Sequence, residues 1–214
     1  MMRAYEETYL SDAMNNLGDM FNYAICDLGY DAEEFYSRFL VSGVAEKFGE
    51  GNPRYVAGFS GAELAGAVLC ATEGKRPEKR PSVACGRSPE YWSGWILAYY
   101  QWFTGRSFAY MKKRGMTFSK VMSLYPTLHE ADVTKFASVA DKIIEKHRKE
   151  ETSRLQQIRK DRGLTQRELA ERSGTSLRMV QLYEQKQQDI RRAEAQTLVG
   201  LSLVLGCDVV DLLE

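Results

Sequence analysis

Two neighbouring strings decide how the C-terminal end of this chain folds: Gly163-Leu164-Thr165-Gln166-Arg167-Glu168-Leu169-Ala170, then Ser173-Gly174-Thr175-Ser176-Leu177-Arg178-Met179-Val180-Gln181-Leu182-Tyr183-Glu184. Thr165 is a good N-cap, because its side-chain oxygen can accept an orphan backbone N–H. Glu168, three residues on, completes a capping box. Leu169 and Ala170 read as inward-facing, and Ala170 is small enough to let a second helix cross closely. Gly174 falls where the chain must turn sharply, and a left-handed conformation there costs glycine nothing. Ser176 caps the next helix. Val180 and Tyr183, three apart, give that helix its inward stripe, which leaves Leu177, Arg178, Gln181 and Leu182 on the outer face.

Two helices joined by a tight glycine turn form a helix-turn-helix unit, whose second helix can present side chains to base edges in a major groove. Outward from this pair stand Leu155, Ile158-Arg159, Ala195, Leu198, Leu201, Leu205-Gly206-Cys207 and Leu212-Leu213. With these residues in register, the segment 152–214 closely resembles the lambda-repressor/Cro-like (XRE) helix-turn-helix family. The resemblance implies a five-helix domain that binds palindromic DNA as a dimer. It implies that Thr165 and Gln166, where the first helix of the pair begins, meet phosphate, which sets the register of docking but carries no sequence information. It places Ser176, Leu177, Arg178, Gln181 and Leu182 at the base-reading positions of a helix over 176–185. There Arg178 has the chemistry to read guanine and Gln181 adenine, while Leu177 or Leu182 can meet a thymine methyl. Leu182 reads equally well as a partly buried edge residue. Arg159 and Glu184 fall where relatives form a buried ion pair. Lys186, Arg191 and Arg192 flank the following loop and are expected to contact phosphate; a solvated basic loop is the plainer alternative. One position departs from the pattern. The family often has glycine two residues after the glutamate, where this chain has Lys186, so the loop 185–188 is expected to run differently.

The rest of the chain, residues 1–150, carries no motif that names a family. The 214 residues comprise 29 basic and 29 acidic side chains, so a wholly basic nucleic-acid coat is excluded while a local basic patch is not. The charges are segregated: residues 1–74 hold 4 basic and 12 acidic side chains, residues 75–149 hold 15 and 6, and residues 154–192 hold 10 and 5. The first two stretches therefore attract each other or face different partners. Cys26, Cys70, Cys85 and Cys207 match no zinc spacing, the only histidines are His129 and His147, and the thiols are expected to be free and buried. No metal site, cofactor motif or catalytic constellation is visible, and the chain is expected not to be an enzyme. No run approaches the roughly 18–20 apolar residues that span a bilayer, and the N-terminus lacks a signal-peptide core, which points to a cytoplasmic protein without a membrane partner.

Helical periodicity runs almost throughout residues 1–150. Met14, Leu17, Phe21, Ile25 and Leu28 recur at helical spacing up to Gly29. Asp31 with Glu34 and Ser60 with Glu63 open further helices, and Ser88-Pro89 opens an aromatic-rich one that stops near Gly105. Short helices are expected over 107–114 and 118–125, with Pro126 ending the second and Thr127 with Glu130 opening a long last helix. The segment 74–88 reads as a basic loop. It and Lys112-Lys113-Arg114 could add nonspecific phosphate contacts, although a solvated surface explains them as well. In the aromatic helix, Trp92, Trp95, Tyr99, Trp102 and Phe103 admit three readings: a central core helix, an interface, or a pocket for a planar ligand. The fold is expected to be all-α, with a domain boundary at the polar stretch near residue 150. The function expected is that of a dimeric, sequence-specific DNA-binding regulator, most simply a repressor, whose residues 1–150 dimerise, sense a ligand or bind a protein. The rival is an antitoxin-like protein whose N-terminal part grips a toxin while the C-terminal domain represses the operon.

Overall fold

The computed structural model describes residues 3–82, 88–150 and 152–213, the side chains of 149 and 150 excepted. Among these residues the chain is all-α. The helices are α1 (Leu10–Asn22), α2 (Ala32–Val41), α3 (Val44–Gly49), α4 (Gly61–Glu73), α5 (Pro89–Thr104), α6 (Phe108–Lys113), α7 (Phe118–Leu128), α8 (Val133–Glu150), α9 (Arg154–Asp161), α10 (Gln166–Ser173), α11 (Leu177–Glu184), α12 (Ala195–Leu205) and α13 (Val209–Leu212). The chain divides into two compact units, Met1–Glu145 and Lys146–Glu214, so the division falls inside α8.

The first unit is organised around α5, which packs chiefly on α1 and also on α7. Two glycines make the α1–α5 crossing close. A Cβ on Gly94 would lie 2.5 Å from the Leu17 carbonyl oxygen, and one on Gly18 would lie 2.9 Å from Tyr91. Phe21 sits at the centre of the core. It stacks on Phe118 at 4.3 Å and meets Phe35, Tyr36 and Phe39 edge-on. Burial pushes the Tyr36 phenol far above its ordinary range, and its hydroxyl donates to the Phe108 carbonyl. After Asn22, helix α1 widens into a π-helical turn, Tyr23–Asp27, and the chain reverses at Gly29, whose φ is +79°.

The local caps are those the sequence implies. Asp31 accepts the Glu34 N–H at 2.9 Å, Ser60 and Glu63 form a full capping box, and Ser88 accepts the Tyr91 N–H with Pro89 in the first turn. The acidic and basic stretches also meet inside this unit. Lys112 bonds the Ser37 hydroxyl at 2.6 Å and approaches the Glu33 carboxylate at 3.8 Å. Lys79 donates to the Asp27 carbonyl, and the Lys79 carbonyl accepts from the Tyr23 hydroxyl. Lys112 is thus held by the fold instead of standing free in solvent. Residues 83–87 of the expected loop lie outside the described residues.

Three expectations for this region are corrected. Pro126 does not end α7, which runs on to Leu128. So near the C-terminal end proline forfeits one helical hydrogen bond, and the His129 N–H still reaches the Tyr125 carbonyl at 3.0 Å. Thr127 does not open the next helix, because its hydroxyl turns back to the Leu124 carbonyl at 3.1 Å. Asp132 serves instead, accepting the Thr134 N–H at 2.8 Å, and the hydrogen bonds from Thr134 hold its carboxyl below the ordinary range. The thiols are free but not buried: Cys26 and Cys70 are exposed and Cys207 is partly so, because their positions fall off the packed faces, while Cys85 lies outside the described residues.

Of the three readings of the aromatic helix, the core one describes its buried rings. Trp92, Tyr99 and Trp102 are only 4–7% exposed and belong to the core, not to an open surface or a pocket; Trp95 and Phe103 are half-buried against it. Trp92 meets Tyr125 and Phe136 edge-on, Tyr99 stacks on Phe103, and Trp102 donates its indole N–H to the Tyr5 carbonyl at 2.8 Å. Arg3 covers the outer side of Trp102 and Phe103 at 4.3 and 4.4 Å. On the opposite face, Tyr100 donates to Asp141 at 2.7 Å, and Arg106 pairs with the same carboxylate at 2.5 Å.

The second unit contains α9–α13, five helices around a small core of Leu155, Leu169, Ala170, Val180, Tyr183, Leu201, Leu205 and Leu212. Helix α12 crosses the end of α10 so closely that a Cβ on Gly200 would lie 2.5 Å from the Ser173 carbonyl oxygen.

Candidate nucleic-acid interface

Helices α10 and α11 are joined by the turn at Gly174, which has φ +69° and open space around it, so conformation and not crowding asks for glycine there. Thr165 caps α10 through the full box. Its hydroxyl accepts the Glu168 N–H at 3.2 Å, while the Glu168 carboxylate accepts the Thr165 N–H at 2.7 Å and the Thr165 hydroxyl at 2.8 Å. These bonds hold the Glu168 carboxyl below its ordinary range. Ser176 caps α11 by accepting the Met179 N–H at 3.2 Å.

Helix α11 buries Val180, Tyr183 and Glu184 and turns its other side outward. Ser176, Leu177 and Arg178 are exposed; Leu177 is 40% exposed despite being apolar. Gln181 and Leu182 are intermediate, so the helix presents a graded face that is most open at its N-terminal end. That end is the one a helix inserts toward base edges when it lies in a major groove.

The orientation of α11 is fixed from below by charge. Arg159 on α9 grips Glu184 bidentately, Nε to Oε1 at 2.5 Å and Nη2 to Oε2 at 2.9 Å, and its third arm donates to the Leu164 carbonyl at 2.6 Å. Both partners are nearly covered, at 7% and 4% exposure. The hydrogen bonds it donates to Glu184 hold the Arg159 guanidinium above its already high ordinary range, so it stays charged at any working pH. Gln166 joins the pair by donating its side-chain amide to Glu184 Oε2 at 2.7 Å. The Gln166 amide is thereby tied inward.

The loop after α11 carries Lys186, which adopts the left-handed conformation at φ +53°. That is a conformation glycine adopts freely and a lysine adopts at a cost. The loop therefore turns here through a left-handed lysine. Arg191 is not an open cation: it holds both oxygens of Asp189 at 3.0 Å, and its N–H bonds the same carboxylate, which depresses the Asp189 carboxyl. Arg192 is exposed. Sequence reasoning missed the Gln166–Glu184 bond, the Asp189–Arg191 pairing and the Gly200 crossing. The x-Asp-x-Arg spacing of the second is a readable local signal; the other two depend on tertiary contacts.

Among the described residues, no three His, Cys, Asp or Glu side chains gather to hold a metal ion, and no helix is long and apolar enough to cross a membrane. No curated protein and no solved structure matches the chain. A family described as helix-turn-helix matches residues 155–212, which span α9 to α13 and leave residues 1–154 outside the match. The C-terminal unit is therefore a helix-turn-helix domain of the XRE, lambda-repressor-like family.

Proposed function

We propose that this protein is a sequence-specific transcriptional regulator that reads DNA with α11 and acts as a repressor by occupying its operator. The observation that carries this reading is the contrast across α11. Val180, Tyr183 and Glu184 are locked underneath, while Ser176, Leu177 and Arg178 stand open at the N-terminal end. Arg178 is suited to a bidentate contact with guanine O6 and N7, and Leu177 to a thymine methyl; each good bidentate pair discriminates by about 1–3 kcal/mol. Gln181 and Leu182 stand at the edge of the same face. Backbone N–H groups at the start of α10, with Thr165 and Gln166, together with Lys186, Arg191 and Arg192, position the domain on phosphates.

Two copies are expected to bind together. One small domain offers one reading helix, and two half-sites about 34–36 Å apart supply usable affinity. The second unit also leaves apolar side chains in water: Val199 and Leu203, one turn apart on α12, are 48% and 76% exposed, and Val210 on α13 is 76% exposed. Covering these against a second copy supports dimerisation. The N-terminal unit, with its self-contained aromatic core, is read as the part that senses a ligand or binds a protein.

Selection of bound duplexes from a random pool by the full-length protein tests the reading. The expected result is a palindrome with half-sites about one helical turn apart. Recovery of no motif from a folded protein contradicts an autonomous dimeric reader and shifts weight to the antitoxin-like alternative, in which a protein partner of residues 1–150 completes the DNA-binding form.

A further inference from the structure

A cleft of about 490 Å³ opens in the N-terminal unit, between α3 with the end of α2 on one side and the end of α5 with the start of α6 on the other. That is room for a small organic molecule and far more than a bare ion needs. Leu40, Ala45 and Phe108 give it an apolar wall. Its charged groups are the carboxylates of Glu46 and Glu50, four residues apart on α3 and its C-cap, and among the described residues no cation lines it. Like charges at this spacing lie on one helix face and repel each other. The neighbouring cations are engaged elsewhere: Lys47 lies 3.4 Å from the Tyr55 hydroxyl, and Arg106 pairs with Asp141. Neither glutamate has an ion-pair partner among the described residues. A second observation comes from Gln101 on α5, which also lines the cleft and is only 2% exposed. Its side-chain N–H donates to the Gly49 carbonyl at 3.0 Å, which fixes how the amide is turned. The oxygen at the other end of that amide, Oε1, is buried and accepts no hydrogen bond. A buried acceptor left without a donor costs stability that an apolar side chain of similar length would not.

We propose that this cleft binds a small organic cation bearing N–H groups, an alkylammonium or alkylguanidinium. One N–H donates to Gln101 Oε1, the positive charge lies beside Glu46 and Glu50, and the alkyl part packs on Leu40, Ala45 and Phe108. Hydrogen bonds from a charged donor are the strong ones, and the carboxylates add to them. The inference names a ligand class for the sensing role proposed above for the N-terminal unit and rests on that reading; the reading of DNA by α11 does not depend on it.

Titration calorimetry of the full-length protein tests it, with n-butylammonium and n-butylguanidinium as probes. Tetramethylammonium serves as a cation without N–H and butyrate as an anion. The expected result is saturable binding of the two probes, about tenfold or more tighter than either control. Glu46→Gln combined with Glu50→Gln removes the charge from two exposed side chains, leaves the core untouched, and is expected to weaken both probes about tenfold or more. Gln101→Leu is expected to weaken them as well. It also gives up the bond to Gly49, so its fold is checked by circular dichroism, and the double glutamine variant carries the test if that protein is misfolded. Tetramethylammonium binding as tightly as n-butylammonium overturns the proposal, as does unchanged binding in the double glutamine variant. Absence of saturable binding in a protein that still selects its palindrome also overturns it and leaves the DNA reading intact. Affinity for the selected duplex is then measured with and without n-butylammonium. A change in wild type that is absent from the double glutamine variant supports both the site and its sensing role. Saturable binding that leaves DNA affinity unchanged keeps the site and overturns the sensing role.

Discussion

The two units of this chain reach order by different means. The N-terminal unit is held by an extensive aromatic core centred on Phe21, Tyr36, Phe118 and the buried face of α5. Among its described residues the C-terminal unit has eight buried apolar side chains in its core, and it supplements them with a buried ion pair, a full capping box and tight turns. A small domain buries too little apolar surface to depend on packing alone. Its structure is therefore concentrated in a few directional contacts, and those contacts also fix the orientation of α11. The large unit spreads its stability over many interchangeable ones.

The sharpest way to break this comparison is to remove one side chain from each unit. Phe21→Ala should cost about 3–5 kcal/mol, as large-to-small changes of buried aromatics do, and should appear in the unfolding of the N-terminal unit by hydrogen exchange. Arg159→Ala should cost a similar amount, about 3–5 kcal/mol, because it strands the buried carboxylate of Glu184; the loss should be confined to the exchange of α9–α13. Equal effects of either variant on both sets of amides would contradict the division of labour.

Smaller effects sharpen the picture. Thr165→Ala should destabilise the C-terminal unit by about 1 kcal/mol through loss of its cap, measurable by chemical denaturation. Lys186→Gly should move the other way, stabilising by about 1 kcal/mol as the left-handed strain is relieved, while lowering the salt slope of DNA binding. A destabilised Lys186→Gly protein would show that the lysine's contacts outweigh its backbone cost.

Acid is expected to act on both units alike. Glu63 and Glu168 are each depressed by the N–H of the residue they cap, so their contribution is fully present above the ordinary glutamate range. It is lost as pH falls through their lower folded values. A pH titration of stability should therefore decline on the acid side in wild type and less steeply in Glu168→Gln.

The same contrast explains what the sequence discloses. Capping pairs such as Thr165–Glu168 and Ser60–Glu63 are legible because donor and acceptor lie three residues apart and need no tertiary partner. Thr127–Glu130 has the same spacing and fails, because the Thr127 hydroxyl found a carbonyl inside the preceding helix. The C-terminal domain is legible as a whole because its special residues stand at fixed spacings. The role of Gln166 as third member of the ion pair is not, since it depends on how α10 lies over α11. In the N-terminal unit, the aromatic run of α5 shows that the helix is buried nearly all round. It does not show that Gly94 and Gly18 bring α1 against it, because apolar periodicity identifies a buried face without naming what covers it.

The central claim is that α11 reads bases through its exposed N-terminal face. Its most direct test is binding of wild type and Arg178→Ala to the selected operator and to duplexes changed one base pair at a time. The account predicts a loss of about 1–3 kcal/mol on the operator and relaxed preference at one position per half-site, with the remaining positions discriminated as before. An equal loss on every duplex, random DNA included, would make Arg178 a phosphate contact and contradict the claim.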